Sequence, residues 1–220
     1  MHLRTTAGAG RRTRRALLAA VLTAGALAGG AVAHPGAAPT CFGESSFDIV
    51  GTGQNDTLVG TPGPDRIYGG RGADRIYGLG GDDVLCGGAG PDIIDGADGA
   101  DRIDGADDAL RAKAEAGRRT ADGNDHLSGG PDNDHLAGLD GRDIILGGDG
   151  DDELGGEQGD DALLGGTGHD AMSGALGDDE LYAGAGDDTL DGGPGSDTLD
   201  GQDGTDSCVG GERDQGCELP

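Results

Sequence analysis

The sequence predicts an all-β repeat architecture on three observations. These are a nine-residue period from Gly51 to Val209, an aspartate at the sixth place of every repeat, and one aliphatic side chain two places later. The chain is otherwise poor material for a globular core. Its 220 residues include 50 glycines, three tyrosines, two phenylalanines and no tryptophan, too little apolar bulk for a conventional enzyme domain. Only the phase of the repeats separates it from a disordered Gly/Asp-rich tract.

Written in nines, Gly60-Thr-Pro-Gly-Pro-Asp65-Arg-Ile67-Tyr sets the frame. The sixth place holds Asp56, Asp65, Asp74, Asp83, Asp92 and Asp101, then Asp125, Asp134, Asp143, Asp152, Asp161, Asp170, Asp179, Asp188, Asp197 and Asp206. The eighth holds Leu58, Ile67, Ile76, Leu85, Ile94, Ile103, Leu127, Leu136, Ile145, Leu154, Leu163, Met172, Leu181, Leu190, Leu199 and finally Cys208. Glycine fills the fourth place except at Gln54 and Asp132, and the first place except at Thr120 and Ala183. In a three-residue strand the middle side chain faces one way and its neighbours the other, so the eighth place points inward and the seventh and ninth outward. Glycine at the first and fourth places is expected to permit positive φ and close approach of neighbouring turns. Second-place glycines recur in steps of eighteen, at Gly70 and Gly88 and again at Gly130, Gly148, Gly166 and Gly184. Two repeats therefore make one coil, with different turn compositions on its two edges.

The pattern resembles the RTX family of hemolysin-type calcium-binding nonapeptide repeats, G-G-x-G-x-D-x-U-x with U a large aliphatic residue. The resemblance covers Gly51 to Val209 with one interruption. It implies a right-handed parallel β-roll, a β-solenoid in which six-residue turns alternate with three-residue strands, two repeats per coil, with Ca2+ between turns.

The residues argue for the same ion. Forty-two acids against 15 bases give a formal charge of −27, which excludes attraction to nucleic acid or to an anionic membrane and favours cations. Stacking places like-charged aspartates about 4.8 Å apart, where they repel unless a cation lies between them. Calcium accepts six to eight oxygens in flexible geometry, and carboxylates with glycine carbonyls offer only oxygen; magnesium prefers a tighter octahedron and retains its water. One ion between repeats n and n+2, counted separately in the two blocks, gives on the order of twelve calcium ions.

Residues 1–33 read as an export signal: Arg4, Arg11, Arg12, Arg14 and Arg15, an apolar run from Ala16 to Ala31, and Ala31-Val32-Ala33 before His34. Gly25, Gly29 and Gly30 interrupt the run and weaken a reading as a retained anchor. Removal takes five arginines and no acid, leaving a mature charge of −32. Folding after export, where calcium is abundant, favours the general secretory route over the twin-arginine one. Residues 34–50 are expected to cap the roll, repeats 1–6 to occupy 51–104, repeats 7–16 to occupy 120–209, and 210–220 to form a C-terminal cap. The insertion, 105–119, is helix-prone, with acids early and bases late. The glycine alternation across it predicts one degenerate half-coil near Gly105 to Leu110, the remainder bulging out; the rival is two rolls joined by a linker.

Four cysteines in an exported chain suggest disulfides and allow three pairings, or none if the thiols stay free. Cys208 with Cys217 would close the last inward place, and Cys41 with Cys86 would fold the N-terminal segment back along the first coils, Ile49 adding a capping strand. The pairing resembles that of secreted actinobacterial-type calcium-binding repeat proteins. There is no H-E-x-x-H, no G-x-S-x-G and no nucleophile-base pair. His126 and His135 fall in successive repeats and should lie on opposite sheets, unable to share zinc. His169 reads as solvated, and Tyr68, Tyr77 and Tyr182 as cover for a thin sheet. Thr57, Thr189 and Thr198 make no ice-binding row. The expected function is a secreted, non-catalytic, calcium-binding structural or interaction module, with no nucleic-acid partner and no membrane partner once the signal is removed. The alternative is a cell-surface adhesin or surface-layer-like component meeting a cell-wall partner.

Overall fold

The computed structural model describes residues 40–43, 45–106 and 123–218. The export signal and most of the insertion, with its expected short helix, lie outside the described residues. Nineteen strands, and no helix among the described residues, form a parallel β-solenoid of about eight turns. Sheet one contains β1 (Ile49–Val50), β3 (Arg66–Arg71), β5 (Val84–Ala89), β7 (Arg102–Asp104), β9 (His135–Asp140), β11 (Glu153–Gln158), β13 (Ala171–Leu176), β15 (Thr189–Asp191), β17 (Asp206–Val209) and β19 (Cys217–Glu218). Sheet two contains β2 (Thr57–Val59), β4 (Arg75–Gly80), β6 (Ile93–Asp98), β8 (His126–Pro131), β10 (Ile144–Asp149), β12 (Ala162–Thr167), β14 (Glu180–Ala185), β16 (Asp197–Asp203) and β18 (Gly211–Gln215). Successive strands alternate between sheets, so each coil contains two repeats.

The core is a single file of eighth-place side chains. Ile67, Ile76, Leu85, Ile94, Ile103, Leu127, Leu136, Ile145, Leu154, Leu163, Met172, Leu181, Leu190 and Leu199 are all buried. Along each sheet they stack eighteen residues apart, as Ile145 does on Leu163 and Leu163 on Leu181, except across the insertion, where Ile94 stacks on Leu127 and Ile103 on Leu136. The ends are less complete: Ile49, Leu58 and Cys217 are only partly buried against the file. Most strands run six residues rather than three, because the eighteen-residue register pairs turn backbone as well. Gly148 and Asp149, for example, pair with Gly166 and Thr167.

The degenerate half-coil is not found. β6 pairs directly with β8 and β7 with β9, which leaves no half-coil between them. In chain order the insertion falls between β7 and β8. Gly105 performs the first-place role of the seventh repeat, standing against Asp125, the role assigned by sequence to Thr120. The roll is thus continuous, and it is the second-place glycines that change sheet, from β3 and β5 to β8, β10, β12 and β14. The glycine phase followed turn composition, which either edge accepts. Second-place Leu79, Ala97, Leu139, Glu157, Ala175 and Gln202 adopt positive φ between 66° and 84° without being glycine.

Both ends are tied. Cys41 is bonded to Cys86 on β5, and Cys208 to Cys217. β1 adds a capping strand, pairing Ile49 with Ile67. Beyond Cys41, the N-terminal segment lies on sheet one, with Phe42 over Arg102 (4.2 Å) and near His135, and Phe47 against Tyr68.

At Gly168 the backbone has φ +132°, and a Cβ there would stand 2.0 Å from the carbonyl oxygen of Gly150 in the preceding coil. Gly168→Ala is expected to destabilise the calcium-loaded protein by about 2–4 kcal/mol, read as a fall in denaturation midpoint.

Candidate metal centre

The sixth-place aspartates form two stacks, one on each edge of the roll. The first runs Asp56, Asp74, Asp92, Asp125, Asp143, Asp161, Asp179, Asp197. The second runs Asp65, Asp83, Asp101, Asp134, Asp152, Asp170, Asp188, Asp206. In each step the backbone N–H of one aspartate donates to Oδ1 of the next, at 2.6–2.9 Å, and the steps from Asp92 to Asp125 and from Asp101 to Asp134 span the insertion without a break. From Asp56 to Asp188 the backbone carbonyl is also used, accepting from the seventh-place N–H of the following coil, as Asp143 O does from Ala162.

That leaves Oδ2. In Asp74, Asp83, Asp92, Asp101, Asp134, Asp143, Asp152, Asp161, Asp170, Asp179, Asp188, Asp197 and Asp206 it is buried without a hydrogen-bond partner. A row of buried, unpartnered carboxylate oxygens is costly unless something positive approaches them. The first coil differs: Asp56 Oδ2 accepts from the Thr52 N–H (2.6 Å) and hydroxyl (2.8 Å), and Asp65 Oδ2 from the Thr61 N–H (2.5 Å). There the second-place threonine stands in as donor.

The first-place glycine makes the room. A Cβ at Gly78 would lie 2.2 Å from Asp83 Oδ2, and one at Gly147 2.3 Å from Asp152 Oδ2. These glycines do not adopt positive φ, which belongs to the second and fourth places. The expectation of positive φ at the first place is therefore corrected, while the expected close approach of neighbouring turns holds: a Cβ at Gly69 would stand 2.4 Å from Gly87 O as well as 2.7 Å from Asp74 Oδ2.

Burial pushes Asp92, Asp101, Asp134 and Asp161 up to about 7, against the lowering effect of the donated backbone hydrogen bond and with added repulsion from neighbouring acids. Asp83, Asp143 and Asp170 rise to about 6 for the same causes. Asp74, Asp152, Asp179 and Asp188 move in the same direction. With protein atoms alone around them, these groups are easier to bury neutral than charged. The donor set fits calcium: it is all oxygen, anionic, repeated at coil spacing, and flanked by close-packed fourth-place glycine carbonyls such as Gly150 O and Gly168 O.

A second ladder was not read from the sequence. Fifth-place side chains accept the fifth-place N–H of the following coil: Asn55 from Ala73 and Asn124 from Arg142 on one edge, and Asp82 from Ala100, Asn133 from Asp151, Asp151 from His169 and Asp187 from Thr205 on the other. It runs opposite in sense to the sixth-place ladder and is exposed. Its signal was the recurrence of Asn and Asp one place before the invariant aspartate, hidden by Pro, Ala, Arg and Ser at other repeats. His169 joins it through Nδ1, which accepts the Asp187 N–H at 2.9 Å. His126 and His135 lie on opposite sheets, and His135 Nδ1 is 3.1 Å from Glu153.

A parallel solenoid whose turns stack buried carboxylates defines a class of metal-bridged repeat proteins. The model of the RTX calcium-binding nonapeptide repeat matches residues 50–85, 81–109, 120–154, 155–190 and 182–212. The chain belongs to this family, and its repeats form a calcium-binding structural module. No relative among the curated proteins matches it.

The raised carboxylates set a pH dependence. Their ordinary value is 3.8, so the stability they contribute without metal is full below about pH 4 and is lost as pH rises through 6 to 7. Calcium binds the ionised form and reverses the sign. Circular dichroism should show β structure in EDTA growing as pH falls from 7.5 to 4.5, while calcium-loaded protein releases its ions over the same range.

Proposed function

We propose that the chain is a secreted, non-catalytic module whose folding is switched on by extracellular calcium, with the sixteen sixth-place aspartates as ligands. One observation carries this: two unbroken stacks of eight carboxylates, in which thirteen of the aspartates are buried with an Oδ2 that has no hydrogen-bond partner. The insertion does not divide the stacks, so the gaps between successive aspartates number fourteen rather than the twelve expected of separate blocks. One ion in each gap supplies about +28 against a mature charge of −32. A single file of aliphatics does not offset that repulsion together with the backbone entropy of a glycine-rich chain. The basic, apolar and small-residue leader and the two disulfides support an oxidising, calcium-rich destination.

Calorimetric titration of the mature protein at pH 7.5 should register about fourteen calcium equivalents, with a coil-to-β change in circular dichroism. Uptake of fewer than several, or an equal β signal in EDTA, overturns the reading. Asp161→Asn, mid-stack between Asp143 and Asp179, should remove about one to two equivalents and lower the midpoint of the calcium-dependent transition temperature.

A further inference from the structure

The two sheets present different outward faces. Seventh- and ninth-place side chains of successive coils lie in register, giving two columns on each sheet. On sheet one the early columns lie beneath Phe42 and Phe47, and the later ones carry Gly155, Ala171 and Ser173. On sheet two Ile93, Ile144, Leu146 and Leu164 stand 36–41% exposed at the centre. The repeat alone does not dictate such a patch, because the central coils of the opposite sheet carry Glu153, Gly155, Ala171 and Ser173 at the same places.

Sheet two is also self-complementary. β4, β6, β8, β10, β12 and β14 are consecutive neighbours. Arg75 opens β4 and Glu180 opens β14, both exposed at the seventh place. A two-fold axis parallel to the strands, between β8 and β10, reverses strand order while keeping seventh places over seventh places. β4 then faces β14 of a second copy, β6 faces β12, and β8 faces β10. Arg75 meets Glu180 of the second copy at both ends and Tyr77 meets Tyr182, while at the centre Ile93 meets Ala162, Ile144 meets His126 and Leu146 meets Ser128, each large apolar side chain set over a smaller or polar one with the Leu146 side chains of the two copies diagonal to each other. Within the chain Arg75 forms no ion pair among the described residues.

We propose that sheet two is a self-association surface on which two calcium-loaded copies pair face to face through this two-fold. The inference rests on the calcium reading only in that the roll must be folded and its charge reduced. Six strands at ~4.8 Å and two columns present roughly 400 Å² per copy, below the ~800 Å² per partner of stable complexes. Asp95, opposite Leu164 in this register, opposes tight packing further. The dimer is accordingly of the weak, concentration-dependent kind.

Sedimentation velocity on calcium-loaded protein from 10 µM to 1 mM tests it, with circular dichroism on the same samples so that failure to fold is read separately from failure to pair. The expected result is a monomer–dimer equilibrium. Leu146→Asp with Leu164→Asp should weaken it at least tenfold with the β spectrum unchanged. Arg75→Glu should weaken it several-fold, and Arg75→Glu with Glu180→Arg should restore it. A folded monomer at 1 mM overturns the proposal, as does a dimer indifferent to the two leucine substitutions. A charge exchange that fails to restore pairing overturns the two-fold register. A folded monomer whose face is nonetheless protected from solvent overturns it in favour of cover by the chain itself.

Discussion

Like charge buried at coil spacing is the constraint on which this molecule depends. From Asp74 onward each sixth-place aspartate accepts at Oδ1 from the backbone of the preceding coil, which locks the register, and through most of the stacks Oδ2 is left buried without a protein donor. A protein could relieve that burial with a lysine or arginine in the turn, but none of the sixteen repeats places one at the sixth position or beside the first-place glycine. Divalent calcium is the counter-charge that fits an all-oxygen, anionic and flexible site, as membership of the RTX repeat family implies. On the function proposed above, fold and ligand are one equilibrium rather than two.

The rest of the repeat follows from that arrangement. First-place glycine is absent a side chain because the carboxylate occupies the space, as Gly78 shows against Asp83. Positive φ is needed elsewhere, at the second and fourth places, and non-glycine residues meet it at several second places, including Leu79 and Glu157. Because each coil contacts only its neighbours, a turn can carry an insertion without disturbing the ladder. The Asp92-to-Asp125 step shows this across 33 residues.

A solenoid has two ends, and this one treats them differently. At the C-terminal end the inward place is taken by Cys208, bonded to Cys217. At the N-terminal end β1 covers the first coil, and Cys41 anchors a strap over sheet one. That strap makes the two faces unequal, and sheet two keeps its apolar centre bare.

The sequence by itself determined the period, the inward file, the sixth-place ligand candidates and the all-oxygen chemistry. All of these are one-dimensional regularities: a side chain's place in nine decides whether it faces in, out or into the turn. Tertiary structure decided what depends on which coil lies over which. The second-place glycines from Gly70 to Gly184 suggested an extra half-coil, yet the direct pairing of β6 with β8 excludes it. Both edges tolerate the same φ, so glycine phase carries no count of coils. The fifth-place ladder of Asn55, Asp82, Asn133 and Asp151 escaped notice because its bonds join residues eighteen apart and use Asn and Asp interchangeably. The identity of Gly105 as the first place of the seventh repeat likewise required seeing it against Asp125, since twenty residues of chain separate the two and only stacking brings them together.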